Sequence, residues 1–124
     1  DNNLELDENI IFYSNLSQGT EAQVQSGYHA TLKLLQEKVP AILATNHLLL
    51  LGALQACKEM NKAIREDVII IGFDDSYWNE IFTPRLSVIS QPAKEMIHDL
   101  IKGERVKSTK LATQLIIRDS CSFL

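Results

Sequence analysis

The chain has 124 residues, 45% of them hydrophobic and 23% charged, with five Gly, three Pro and two Cys. That length fits one domain, and the composition excludes a disordered chain, a collagen and a disulfide-stapled mini-protein. Twelve basic against sixteen acidic residues give a net charge of −4, the wrong sign for a surface that wraps nucleic acid by itself.

Surface scaling predicts roughly 6,700 Å² exposed after folding, against about 20,000 Å² unfolded, so about two thirds should be buried. Cys57 lies in an apolar run and Cys121 near the end. With no His at motif spacing they form neither a zinc pattern nor a disulfide framework, and a reduced, cytoplasmic protein is the expectation. No apolar span reaches 18 residues; the strongest, Leu48 to Leu51, is bounded by Asn46, His47 and Gly52, so no membrane partner is expected. Asp1 to Asn9 is polar and acidic, unlike a signal peptide. The late basic cluster Lys102, Arg105, Lys107 and Lys110 reads as a solvated loop.

Two periodicities alternate along the chain. Ile10-Ile11-Phe12-Tyr13 fits a buried strand ending at Ser14-Asn15. From Gly19 to Lys38 apolar residues recur at helical spacing. Ala41 to Ala44 is a second strand, and Thr45-Asn46 supplies a helix N-cap. A helix from about His47 to Asn61 follows, apolar on nearly every side through Leu54. Val68 to Ile71, four β-branched residues, suits a central parallel strand buried on both faces. Gly72-Phe73-Asp74-Asp75-Ser76 breaks it, Tyr77 to Phe82 makes a short helix, and Thr83-Pro84 closes the turn. Leu86 to Ile89 is a strand, Pro92 to about Lys102 a helix, and Leu115 to Ile117 a last strand. The order predicts an α/β fold, a doubly wound parallel sheet with helices on both faces.

In such sheets ligands bind outside the carboxyl ends of the strands. Asn15, Thr45-Asn46 and Asp74-Asp75 stand at those ends. Asp74-Asp75 has three readings: a capping pair for the helix at Tyr77, a magnesium site, or a carboxylate that accepts from adjacent sugar hydroxyls. Metal is disfavoured because no other strand end supplies a carboxylate. Asn46 is an N-cap or adds an amide to a sugar site. His47 faces solvent or the same crevice, and His29 and His98 sit on helix bodies. No Ser/His/carboxylate spacing and no Gly-rich phosphate loop supports an enzyme. A helix apolar all round, beside Tyr77, Trp78, Ile81 and Phe82, implies a protein interface as well as a core.

Several blocks together carry a resemblance. Ala44-Thr-Asn-His47 with the following Leu-Leu-Leu-Leu-Gly-Ala-Leu54, Asp67 to Asp75 (DVIIIGFDD), Phe82 to Pro92 (FTPRLSVISQP), Gln114 to Cys121 (QLIIRDSC) and Ser26-Gly27-Tyr28 resemble segments of the lactose-repressor/galactose-repressor (LacI/GalR) family. They keep its order from Ser26 to Cys121. The resemblance implies a type I periplasmic-binding-protein fold, two α/β lobes that close on a small effector, often a sugar or sugar acid, with no cofactor. By that resemblance residues 1–91 and 109–124 belong to the C-terminal lobe and 92–108 to the N-terminal lobe. Asn46 and Asp74 match effector-binding positions, with His47 beside them. Gln91 matches a hinge position, and Leu51, Ile81 and Phe82 match a homodimer contact that Leu48 and Trp78 would extend.

The implied protein is a bacterial transcription regulator, a repressor whose helix-turn-helix, which would read operator DNA, lies outside this chain. A periplasmic sugar-binding protein of a transporter is the alternative, and a metal-dependent enzyme using Asp74 and Asp75 a more distant one. His47 stands where the family pattern usually has Asp. An imidazole there leaves the positive helix end less compensated, so an effector bearing a carboxylate or phosphate is expected. The helix after Pro92 and the connection at Lys38 to Pro40 are shorter than the family pattern, which implies residues missing from the chain.

Overall fold

The apolar runs at 41–44, 68–71, 86–89 and 115–117 meet as neighbours in one four-stranded sheet. The structure is a computed structural model, and it describes residues 5, 7–15, 17–101 and 111–121. In chain order the elements are α1 (Thr20–Gln36), β1 (Ala41–Leu43), α2 (His47–Glu59), β2 (Ile69–Phe73), α3 (Trp78–Ile81), β3 (Ser87–Ser90), α4 (Ala93–Ile101) and β4 (Gln114–Ile116). Single turns of 3-10 helix precede and follow them at Glu8–Ile10 and Asp119–Cys121. The basic cluster Lys102, Arg105, Lys107 and Lys110 lies outside the described residues.

Strands β1, β2 and β3 are parallel, in the register Leu43 to Ile71 and Phe73 to Ile89. The last pair corrects the all-parallel expectation: β4 runs antiparallel to β3, with Gln114 opposite Ser90. The chain leaves β3 at its carboxyl end and comes back to the sheet at that same end, so the returning strand can only run backwards. The core is built from Ile42, Leu50, Leu54, Val68, Ile70, Leu86 and Val88, each at most 7% exposed. Cys57 lies among them, and burial pushes its thiol up to about 11; it and Cys121 are both free. β2 alternates buried and half-buried residues, so it is not covered equally on both faces. Every described side chain of α4 is exposed.

Two expectations fail together at the N-terminal side. Ile10 to Tyr13 form no strand: Glu8–Ile10 is a turn capped by the Asp7 carboxylate, and the residues after it join no ladder. The run has the apolarity of a strand, but its backbone bonds are local, Ile10 N to Asp7 O and Ile11 N to Glu8 O, and among the described residues β1 pairs with β2 alone. Its side chains instead line a cavity of about 330 Å³ against α1 and β1, and Tyr13 is 91% exposed. The chain accordingly exposes 9400 Å², well above the roughly 6,700 Å² that scaling gives for a self-sufficient domain of this mass.

Helices α1 and α2 touch backbone to backbone. A Cβ on Gly52 would collide with the Val24 carbonyl and the Tyr28 amide, and one on Gly27 with the Leu49 backbone. Main-chain atoms cannot rotate away as a side chain would. The pair is fastened further along where the Tyr28 hydroxyl donates to Glu59 at 2.6 Å. Gly52→Ala should therefore force the helices apart and lower stability by about 2–3 kcal/mol, the upper part of the overpacking range. Urea unfolding checks it: the midpoint should fall while the slope is unchanged.

Candidate functional site at the carboxyl edge of the sheet

The sheet register sets the predicted site residues along one edge. The last paired residues are Leu43 with Ile71 and Phe73 with Ile89, so Asn46, Asp74 and Gln91 each follow the carboxyl end of a strand by one to three residues. The edge is ordered past the strands themselves, since Ala44 N donates to Ile71 O and Asp74 N to Ile89 O. Asn15 is not part of it. Its Oδ1 accepts from Ser17 N and Ser17 Oγ in a local turn.

Asn46 is the N-cap of α2, as the sequence predicts. Its Oδ1 accepts from Leu48 N at 3.0 Å and Leu49 N at 2.9 Å. Those bonds use the acceptor and leave Nδ2 as the group available to a ligand. His47, the first helical residue, is exposed, and the first turn of α2 holds no acidic residue. The positive end of this helix is thus met by no carboxylate of its own.

Asp74 is fixed more firmly than its sequence context indicates. Its φ of 69° lies in the left-handed region, which Asp tolerates better than most residues and which must be held by its surroundings. Three bonds hold it. The amide donates to Ile89 O at 2.8 Å, the carbonyl accepts from Asn79 Nδ2 at 3.3 Å, and Oδ1 accepts from Gln91 Nε2 at 2.6 Å. The second carboxylate oxygen, Oδ2, has no partner among the described residues. A rigid carboxylate with one open oxygen is suited to accept from a hydroxyl, and such charge-assisted bonds are roughly twice as strong as neutral ones.

Asp75 plays a different part. Arg118 grips it with both nitrogens, Nη1 to Oδ1 at 3.0 Å and Nη2 to Oδ2 at 2.9 Å. Arg118 also donates to Leu86 O and to Glu80, and its side chain is only 9% exposed. The guanidinium bond holds the Asp75 carboxyl below its usual range, and the same bond raises Arg118. The capping-pair reading is therefore corrected: Tyr77, the N-cap of α3, has no side-chain cap bond, and Asp75 faces Arg118 instead. Among the described residues no three His, Cys, Asp or Glu side chains gather where a metal ion could sit.

Sequence reasoning missed Asn79, Arg118 and the serines behind them. Asn79 is 1% exposed and reaches both Asp74 O and Asp75 Oδ1. Ser120 Oγ donates to Ile70 O and accepts from Ser87 N, while Ser87 Oγ accepts from Arg118 N and donates to Arg118 O. A usable signal did exist: an Arg directly after an apolar strand must find a partner if it is buried. The cavity behind β1 includes Thr45 but none of Asn46, His47, Asp74 or Gln91. Of the predicted contact residues, Leu51 and Ile81 are exposed at 49% and 66%. Leu48 is half-buried, and Trp78 and Phe82 pack partly against the core.

Two substitutions separate the roles. Asn46→Asp keeps the cap acceptor and removes the donor, so stability should stay within about 0.5 kcal/mol, whereas Asn46→Ala should lose about 1 kcal/mol; chemical denaturation of both distinguishes them. Asp75→Asn should weaken the fold at pH 7. Because the folded-state pKa of Asp75 is depressed, its contribution is complete above the ordinary carboxylate value near 4 and is lost as pH falls through the depressed one. The difference in unfolding midpoint between Asp75→Asn and the natural chain should therefore narrow as pH falls below about 4.

Comparison with known proteins bears on the family of the chain. The model of the periplasmic binding protein-like domain matches residues 4–121. The HTH-type transcriptional regulator DegA of Bacillus subtilis is 35% identical over 94% of this chain and 36% of its own length. A Staphylococcus saprophyticus protein of known crystal structure is 60% identical, with a TM-score of 0.83 over 97% of this chain and 46% of that one. A sugar-binding transcriptional regulator of the LacI family from Escherichia coli, solved in complex with phosphate, is 32% identical, with a TM-score of 0.67 over 79% of this chain and 39% of that one. The chain thus spans between a third and a half of the length of these relatives. With its mixed α/β sheet and its match to the domain model over nearly its whole length, the chain belongs to the periplasmic-binding-protein-like domain family, among the effector-binding domains of LacI/GalR regulators.

Proposed function

We propose that this chain is the larger part of one lobe of the effector-binding domain of a bacterial transcription regulator, and that it senses a sugar or sugar acid at the carboxyl edge of its sheet. The observation that carries this is Asp74: two backbone bonds and one carboxylate bond hold it with Oδ2 open, at the end of the strand beside the one that leads to Asn46. An acceptor and a donor at adjacent strand ends match the two faces of a sugar hydroxyl, which both donates and accepts. His47 at the uncompensated end of α2 tilts the preference toward an anionic ligand. The Escherichia coli relative, described as sugar-binding and solved with phosphate, is consistent with both. The Bacillus subtilis relative is likewise a transcriptional regulator.

What the sheet leaves open supports a two-lobe arrangement. Helix α4 buries none of its described side chains, as expected of a helix that packs on a second lobe formed elsewhere in the protein. Ligand closure between lobes favours one lobe orientation, and that difference changes the affinity of a DNA-reading head for its operator. Exposed Leu51 and Ile81, continued by Leu48, Trp78 and Phe82, form the contact with a second copy. The rival reading, a transporter's carrier protein, shares the fold and is distinguished by assembly. Sedimentation should show a dimer that Leu51→Glu converts to monomer; a strict monomer at micromolar concentration favours the carrier.

A direct test uses three probes: D-ribose, D-galacturonate and D-ribose 5-phosphate. At ten times Kd a bound probe adds about 1.4 kcal/mol, a rise of roughly 4 °C in melting temperature. At least one probe should give that rise, Mg²⁺ should give none, and Asp74→Asn should abolish it. Equal shifts for the natural chain and Asp74→Asn would remove Asp74 from the site.

A further inference from the structure

The outer edge of β1 has backbone groups to spare. Ile69 N donates to Pro40 O and Ala44 N to Ile71 O, so the even-numbered residues of this stretch carry the bonds to β2. Bonding groups alternate sides along a parallel strand. Those of Ala41 and Leu43 therefore point away from β2, where among the described residues no strand meets them. Both residues are exposed, Leu43 at 52%. A row of such main-chain donors and acceptors is a template for another strand.

The space beside that edge has matching chemistry. The cavity of about 330 Å³ is walled by Ala41 to Ala44, by Ile10, Ile11 and Phe12, and by Leu34 of α1 and Leu49 of α2. Ile10 and Ile11 bond back to Asp7 and Glu8 in a turn, so this run borders the cavity without completing the sheet. A small apolar molecule would satisfy the walls and leave the amides and carbonyls of Ala41 and Leu43 unmet. An extended segment with apolar side chains satisfies both at once, and at about 3.3 Å per residue three or four residues match β1. A second copy is a poorer occupant, because the edge it offers is β1 again and Ile10 to Phe12 stand beside the slot. The relatives have chain to supply such a segment: the match covers 36% of the Bacillus subtilis regulator and 46% of the Staphylococcus saprophyticus protein.

We infer that the outer edge of β1 is a strand-addition site. In the complete protein an extended apolar segment from outside these 124 residues fills the slot between β1 and residues 10–13. Its main chain bonds Ala41 and Leu43, and its side chains cover Ile42 and the apolar walls. The inference is independent of the ligand read for Asp74.

The experiment is amide hydrogen exchange, read by NMR on the ¹⁵N-labelled chain, with the capped peptide Lys-Val-Ile-Val-Ile-Lys as the added strand. In the chain alone Ala41 and Leu43 should exchange freely while Ile42 and Ala44 are protected. With the peptide at ten times Kd about one site in eleven is empty, so Ala41 and Leu43 should exchange about tenfold more slowly and Ile42 should not change. Ala41→Pro and Leu43→Pro each delete one outward amide at an edge, where proline is tolerated. Each should weaken peptide binding about three- to tenfold, whereas Ile42→Pro should unfold the β1 to β2 pairing. The same amides in the natural gene product identify the source of the strand. Protection of Ala41 and Leu43 at every dilution supports a segment of the same protein; protection that fades on dilution assigns the edge to a second copy and overturns the proposal. It is also overturned by a peptide that protects neither amide, by direct backbone pairing of Ile11 with Leu43, or by a natural product no longer than this chain.

Discussion

The two-pronged bond from Arg118 to Asp75 is the interaction on which the carboxyl edge depends. It joins residues 43 positions apart and ties the end of the chain to the turn that follows β2. A nearly buried guanidinium carries a desolvation cost, and here the cost is offset because its donors meet Asp75, Glu80 and the Leu86 carbonyl. The same segment brings Ser120 between Ile70 and Ser87. With Asp75 held from one side and Asn79 beneath, the backbone at Asp74 has little choice but its left-handed turn. In the proposed site, the backbone that carries the Asp74 carboxylate is therefore set before a ligand arrives.

Much of the element order was legible because each element has its own periodicity. Helices α1 and α2 and the β-branched run of β2 fall within two or three residues of their predicted bounds. Asn46 was legible as a cap because capping is local. The direction of β4 was not, since it depends on where the chain re-enters the sheet, a tertiary fact. The role of Asp75 was hidden for the same reason, as its partner lies far along the chain and short-range reasoning offered only a cap. At Ile10 to Tyr13 the periodicity was read as a strand, but apolarity specifies burial and not pairing. With β1 bonded only to β2 among the described residues, the run contributes side chains to a cavity wall instead of a fifth strand.

Surface exposure connects the fold with its role. The sheet is well covered where α2 presses Leu50 and Leu54 onto Ile70, and the close approach of Gly27 and Gly52 keeps α1 near enough to seal that layer. On α4, on β4 and along residues 10–13 large apolar side chains remain open, Ile101 at 79% and Leu115 at 52% among them. Covering apolar area removes it from water at a gain of about 25 cal/mol per Å², so a module of this kind is more stable when other surfaces cover it. The proposed second lobe and second copy would supply such surfaces.

The most direct measurement is a crystal structure of the chain with a bound sugar from the panel that raises its melting temperature. The expected result is a sugar hydroxyl within hydrogen-bond distance of Asp74, another near the Asn46 amide, and the Arg118 to Asp75 bond unchanged. A sugar seated in the cavity behind β1, with the Asp74 carboxylate untouched, would contradict a site at the carboxyl edge.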